Sequence, residues 1–144
     1  MKPPADIIRQ LLIDASLGTQ GPSADWSVFV SFLPGNPDDA ICVYDTAGKL
    51  DGRLMEDGTQ IEHPGIQVMV RGMSYLETWE KAKTIASAFD AWTVSSIAVE
   101  SGESYTLYNI SRSGDILPLG MEAEGDRRRL LFSINATVTV RQNE

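Results

Sequence analysis

The chain has 144 residues, 42% of them hydrophobic and 22% charged, which fits one soluble globular domain, residues 1–144, with a core of its own. Twenty acidic against twelve basic side chains leave a formal charge of −8, spread over both halves, and this excludes a basic surface built to grip nucleic acid phosphates. A single cysteine, Cys42, excludes an intramolecular disulfide and a multi-cysteine zinc site.

Residues 4 to 17 have a helical pattern, with Pro4 at an early position, Ile7, Ile8, Leu11, Leu12 and Ala15 on one face, and Gly18 as the stop. Only short apolar runs occur here, broken by Asp6, Arg9 and Asp14. They form no signal-peptide core, and no stretch of the chain approaches membrane-spanning length, so a soluble cytoplasmic protein is the default. After the turn-like segment TQGPSAD, residues 26–34 (WSVFVSFLP) have the β-branched and aromatic content of a strand, broken at Pro34. AICVYDT, 40–46, is apolar on both faces near its start and suits a central strand. The polar stretch from Ala47 to His63 is longer than the usual connection in a compact domain and is read as a projecting loop.

Next comes PGIQVMVRG, 64–72, in which Ile66, Val68 and Val70 share one face and Gln67, Met69 and Arg71 the other. Gly72 ends the strand. Ser74 with Glu77 matches a capping box, and Tyr75, Trp79, Ala82, Ala86 and Phe89 recur at helical spacing to about Asp90. A short strand around 94–99, a turn at SGES and a strand at 105–112 follow, then a second long loop, 113–129. The closing segment alternates Leu130, Phe132, Ile134, Ala136, Val138 and Val140 with Leu131, Ser133, Asn135, Thr137, Thr139 and Arg141. Its eleven-residue reach of about 35 Å is roughly twice that of an ordinary strand. The expected fold is α+β, a mixed, mostly antiparallel sheet with two helices packed on one face.

Catalytic chemistry has little to work with. His63 is the sole histidine, lies before Pro64 in a polar stretch, and reads as a solvated residue in preference to the base of a triad or a metal ligand. Asp38-Asp39 and Glu122-Ala123-Glu124 lack the spacing of a calcium loop. No Walker loop, GxGxxG or GxSxG elbow is present. Arg127-Arg128-Arg129 is diluted by Glu122, Glu124 and Asp126 and reads as a solvated or salt-bridged run before a binding patch. The expectation is therefore a non-enzymatic protein with no catalytic residue, cofactor or metal.

The ordered segments FLPGNPDDAICVYDTAG (32–48), HPGIQVMVRGMSYLETWEKAKTIASAF (63–89) and ILPLGMEAEGDRRRLLFSINATVTVR (116–141) resemble the minor capsid and tail terminator proteins of tailed bacteriophages. Most of the likeness lies in Pro64, Gly65, Gln67, Val70, Arg71, Gly72 and Tyr75, supported by Tyr44-Asp45 with Gly48 and by Pro118-Leu119-Gly120. The resemblance implies a structural virion protein, assembled in the host cytoplasm and placed at the head-tail junction. It would form a homo-oligomeric ring, commonly a hexamer, that ends tail-tube polymerisation and offers head-completion proteins a joining surface. The implied partners are the tail tube protein and the connector; DNA passes through the lumen without specific binding, and no membrane is involved. A ring requires heterologous contacts, for which Gln67, Arg71, Arg127, Arg128, Arg129 and Arg141 are the candidate interface residues. Arg71 could meet a carboxylate within or between subunits, or could bond locally within its own fold. The alternatives are a head-completion or adaptor protein of the connector and, in a different class, a small ligand-binding or enzymatic domain built on the Arg71 corner.

Overall fold

A computed structural model describes residues 2–21, 23–53, 60–99, 102–124 and 127–142. The order of elements is α1 (Pro4–Asp14), β1 (Ser27–Val30), β2 (Ala40–Arg53), β3 (Gln60–Gly72), α2 (Tyr75–Asp90), β4 (Ser95–Ala98), β5 (Ser104–Arg112), β6 (Leu117–Glu124) and β7 (Arg127–Gln142). The strands form one seven-stranded sheet in the order β1-β2-β3-β7-β5-β4, with β6 also paired to β7. Only the β1–β2 pair is parallel. This is the α+β fold the sequence predicts.

Alternation decides which side carries the core. Ile66, Val68 and Val70 of β3 pair with Ala136, Ile134 and Phe132 of β7, and directly paired residues point to the same side of a sheet. All six are buried, together with Ile41 and Val43 of β2 and Leu107 and Ile110 of β5. Ile7, Ile8, Leu11 and Leu12 of α1 and Ala82, Ile85, Ala86 and Phe89 of α2 close over them in one continuous core. Burial of each large aliphatic side chain is worth roughly 1.5–3 kcal/mol, so this face dominates the stability of the fold.

The first helix is shorter than the expected 4–17. It ends at Asp14 because Ser16 takes the left-handed conformation (φ 59°), letting the Ser16 and Leu17 N–H groups donate to the Ile13 and Leu12 carbonyls at 3.0 and 2.9 Å, a Schellman closure in which serine holds the position usual for glycine. Gly18 serves packing: a Cβ there would run into Val28. At the start of α2, the Ser74 hydroxyl accepts from the Glu77 N–H at 3.5 Å, the expected cap. The buried stripe, however, is Thr78, Ala82, Ile85, Ala86 and Phe89. Trp79 is only half-buried and Tyr75 is 59% exposed; both rings pack at the margin on Phe132, at centroid distances of 5.7 and 6.0 Å.

Both expected loops are largely strand. β2 and β3 run on as an antiparallel pair through Lys49↔His63, Leu50↔Glu62 and Arg53↔Gln60, with two register shifts; residues 54–59 of the expected 47–63 loop lie outside the described residues. Within 113–129, β6 pairs along β7 from Leu117↔Ser133 to Glu124↔Arg127, and residues 125–126 lie outside the described residues. The final strand accordingly begins before Leu130 and has 16 residues.

Candidate assembly surfaces

The side of the sheet away from the helices has two parts. Over the first, the connection from β1 to β2, residues 31–39, crosses as a strap held by two buried arginines. Arg71, 1% exposed, donates from Nε to the Asp38 carbonyl at 3.2 Å and from Nη2 to the Pro34 and Pro37 carbonyls at 2.7 and 2.6 Å. Arg129, fully buried, donates to the Gly35 carbonyl at 2.6 Å, lies 3.6 Å from an Asp38 carboxylate oxygen, and bonds the Glu122 carboxylate of β6. A guanidinium presents several donors in a rigid plane, so it can satisfy several carbonyls of a segment that has no ladder partner. Asp39 adds the end of the strap: its carboxylate accepts from the Met73 N–H at 3.1 Å and its carbonyl from the Trp26 N–H at 2.9 Å.

Beneath the strap lies Cys42, fully buried. Burial pushes its thiol up, against the opposing influence of hydrogen bonds from Tyr44 and from the backbone of Phe32 and Ser31. Burial, and then the bond with Cys42, likewise push the Tyr44 hydroxyl up to about 12. Both groups are therefore protonated near neutrality, and the thiol is a packing group here, not a nucleophile.

The second part has no covering. Gln67 of β3 pairs with Asn135 of β7, Gly65 with Thr137, and across the other edge of β7 Thr137 pairs with Ser111 and Thr139 with Asn109. Near its end the His63 Nδ1 lies 3.0 Å from the Thr139 hydroxyl oxygen. Six of the nine large apolar side chains exposed among the described residues belong to the end of β3, the start of α2 and β6: Met73, Tyr75, Leu76, Leu117, Leu119 and Met121; Phe32, Val94 and Tyr108 lie elsewhere.

The six candidate interface residues divide accordingly. Arg71 and Arg129 are buried and bonded within the chain, which is the local role held open for Arg71 and, through Glu122, the salt-bridged alternative held open for the 127–129 run, though with Arg129 buried and not solvated. Arg128 and Arg141 are exposed and Gln67 is half-buried on the open face. The Arg127 side chain lies outside the described residues. His63 and Arg71 share one side of β3 but sit eight residues apart, about 26 Å along a strand, so no pocket holds both. A shallow cleft of about 500 Å³ between the end of α1 and α2 is lined by Trp26, Glu77, Glu80 and Lys81 among others. There Lys81 Nζ stands 5.5 Å from the Trp26 ring centroid and burial pushes its ammonium down. Among the described residues no group of three His, Cys, Asp or Glu side chains is placed to hold a metal ion.

A family model described as bacteriophage tail terminator protein matches residues 11–141. The chain belongs to the bacteriophage tail terminator family. The match contains the last turn of α1, all of α2, the strap, its two arginines and all of β6. Membership makes the protein a structural component of the phage virion, in the tail, with other tail and head components as its neighbours. No curated protein matches the chain. No described helix is long and apolar enough to cross a membrane.

Proposed function

We propose that this tail terminator forms a ring, a hexamer, on the end of the tail tube, where it stops tube polymerisation and presents the joining surface to the head-tail connector. The observation that carries the reading is the family match over residues 11–141. The geometry agrees with a protein that works by contact: polar side chains converge on backbone carbonyls and on each other, and the conspicuous exposed features are sheet edges, an uncovered sheet face and apolar side chains. Edges and uncovered faces are what one folded chain offers another.

The ring contacts are heterologous, one patch of a subunit meeting a different patch of the next. Gln67, Arg128 and Arg141 are the candidate interface residues accessible for this, and Arg71 and Arg129 support it from inside by fixing the strap and β6. DNA passes through the lumen without specific binding, repelled by a ring whose every subunit carries −8. The protein catalyses no reaction, needs no cofactor, and assembles in the host cytoplasm before joining the virion.

Electron microscopy of purified protein mixed with tail tubes tests the function. Rings seated on tube ends, and tubes of uncontrolled length when the gene is deleted, are the expected results. Tails of normal length that join heads without this protein would overturn the reading.

A further inference from the structure

Arg129 stands where two surface features of the chain meet. Its Nη1 donates to the Gly35 carbonyl of the strap at 2.6 Å and lies 3.6 Å from an Asp38 carboxylate oxygen, while its Nη2 donates to the Glu122 carboxylate of β6. The guanidinium is fully buried, whereas both carboxylates are partly exposed. Glu122 is fixed opposite Arg129 by the β6–β7 register. Outwardly, the strap is open at Phe32, Gly35 and Asn36, and β6 at Leu117, Leu119 and Met121, so neighbours can reach either feature while a single cation joins the two from within.

We infer that Arg129 couples the strap to β6: with β6 in place the strap is held down over Cys42, and displacement of β6 releases it. The guanidinium is a rigid plane, so the bonds at Nη1 and Nη2 do not adjust independently. When Glu122 leaves with β6, a buried charge loses a charged partner, a state that is strongly unfavourable. The plane then turns towards the water that replaces Glu122 and carries Nη1 off the Gly35 carbonyl. In the opposite direction, lifting the strap strips Arg129 of Gly35 and Asp38 and weakens its hold on Glu122, as the reciprocity of any coupling between two sites requires. Arg71 has a different part: it anchors Pro34, Pro37 and Asp38 to β3, a strand fixed under the helices, and so carries no message from β6. A neighbour that moves β6 on seating thereby changes how firmly the strap is held without touching it. The device lies within one chain, so its failure leaves the ring reading untouched.

Cys42 reports on the strap, because it is the sole cysteine and is buried against the backbone of Ser31 and Phe32. The test measures its labelling by a thiol reagent under native conditions, with and without low urea, in wild type, Glu122→Ala, Glu122→Gln and the core variant Ile134→Ala. Glu122→Ala is expected to label about tenfold faster or more, at a rate insensitive to low urea, as local opening requires. Glu122→Gln keeps an acceptor for Nη2 and falls between it and wild type. Ile134→Ala labels through global unfolding, at a rate that climbs with urea. Deuterium exchange supplies the reverse reading: Asp38→Ala should speed exchange in the peptide 117–124. Labelling of Glu122→Ala at the wild-type rate, or with the urea dependence of Ile134→Ala, would overturn the coupling, as would unchanged exchange of 117–124 in Asp38→Ala. Should Glu122→Ala fail to fold, Glu122→Gln and Asp38→Ala decide by the same criteria.

Discussion

On the helix-covered side of the sheet, every second residue of β3 and β7 between Ile66 and Ala136 is a buried apolar side chain, whereas on the other side the same strands carry Gln67, Arg71, Arg129, Ser133 and Asn135. Three of those polar residues, Arg71, Arg129 and Ser133, are as deeply buried as the core. The difference lies in what covers them. Helices arrive with their backbone groups already paired, so only apolar surface is needed beneath them. The 31–39 strap arrives with carbonyls that no ladder satisfies, so the side chains beneath it must be donors.

The largest expected effect tests the covered side. Ile134→Ala removes a fully enclosed aliphatic side chain and is expected to lower stability by about 2–5 kcal/mol in urea unfolding, while Thr137→Ala on the open side changes it by no more than about 0.5 kcal/mol. Equal losses would erase the distinction between the two sides. Next comes the strap. Arg71→Met leaves the Pro34, Pro37 and Asp38 carbonyls without their donor, with an expected loss of about 3 kcal/mol. Because Cys42 lies under the same segment, the variant should also label faster with a thiol reagent under native conditions, and the Met73 amide should exchange faster with deuterium. Loss of stability with Cys42 still inert would mean that Arg71 holds β3 and not the strap.

A smaller effect concerns the helix that covers the core. Ser74→Ala removes a long cap bond, for which about 0.5–1 kcal/mol is expected from thermal unfolding. The smallest compares an exposed ion pair with the buried Arg129 cluster. Arg112 bonds Asp90 at 2.8 and 2.9 Å and holds that carboxyl below its ordinary value of 3.8. A depressed folded-state value adds stability that is present above pH 3.8 and is lost as the pH falls through the lower value. Asp90 is at the surface, so solvent screens the pair. Asp90→Asn should lower stability slightly in the neutral region and converge with the wild type at the acid end, giving a slightly flatter acid limb.

Much of the fold was legible because one-sided burial writes a period into the sequence. The alternation of 66–70 and 130–140 and the Ser74 cap located β3, β7 and α2 from residue types alone. The hairpin extensions were not legible: 47–53 and 117–124 form strands, but residues 47–48 and 117–121 are exposed and carry no one-sided period, so LPLGMEAE reads as a loop. Tyr75 fitted the helical spacing but lies beyond the edge of the surface that the helix covers. The arginine anchors carried a signal that went unused. Arg71 continues the Gln67–Met69 side of β3, and PGNPDD nearby is a turn-rich segment whose carbonyls need donors. Nothing in the Arg128–Arg129 pair tells which of the two turns inward; only the register Glu122↔Arg129 decides it.

The position of β7 bears on how the chain is made. It is the ninth element in order of synthesis yet lies between β3 and β5 in the middle of the sheet, and its Arg129 reaches back 94 positions to Gly35. A nascent polypeptide emerging from the ribosome therefore lacks its central strand until residues 127–142 are translated. Folding waits for that moment, and a chain cut short before it would present unmatched β3 and β5 borders to the quality-control machinery of the host.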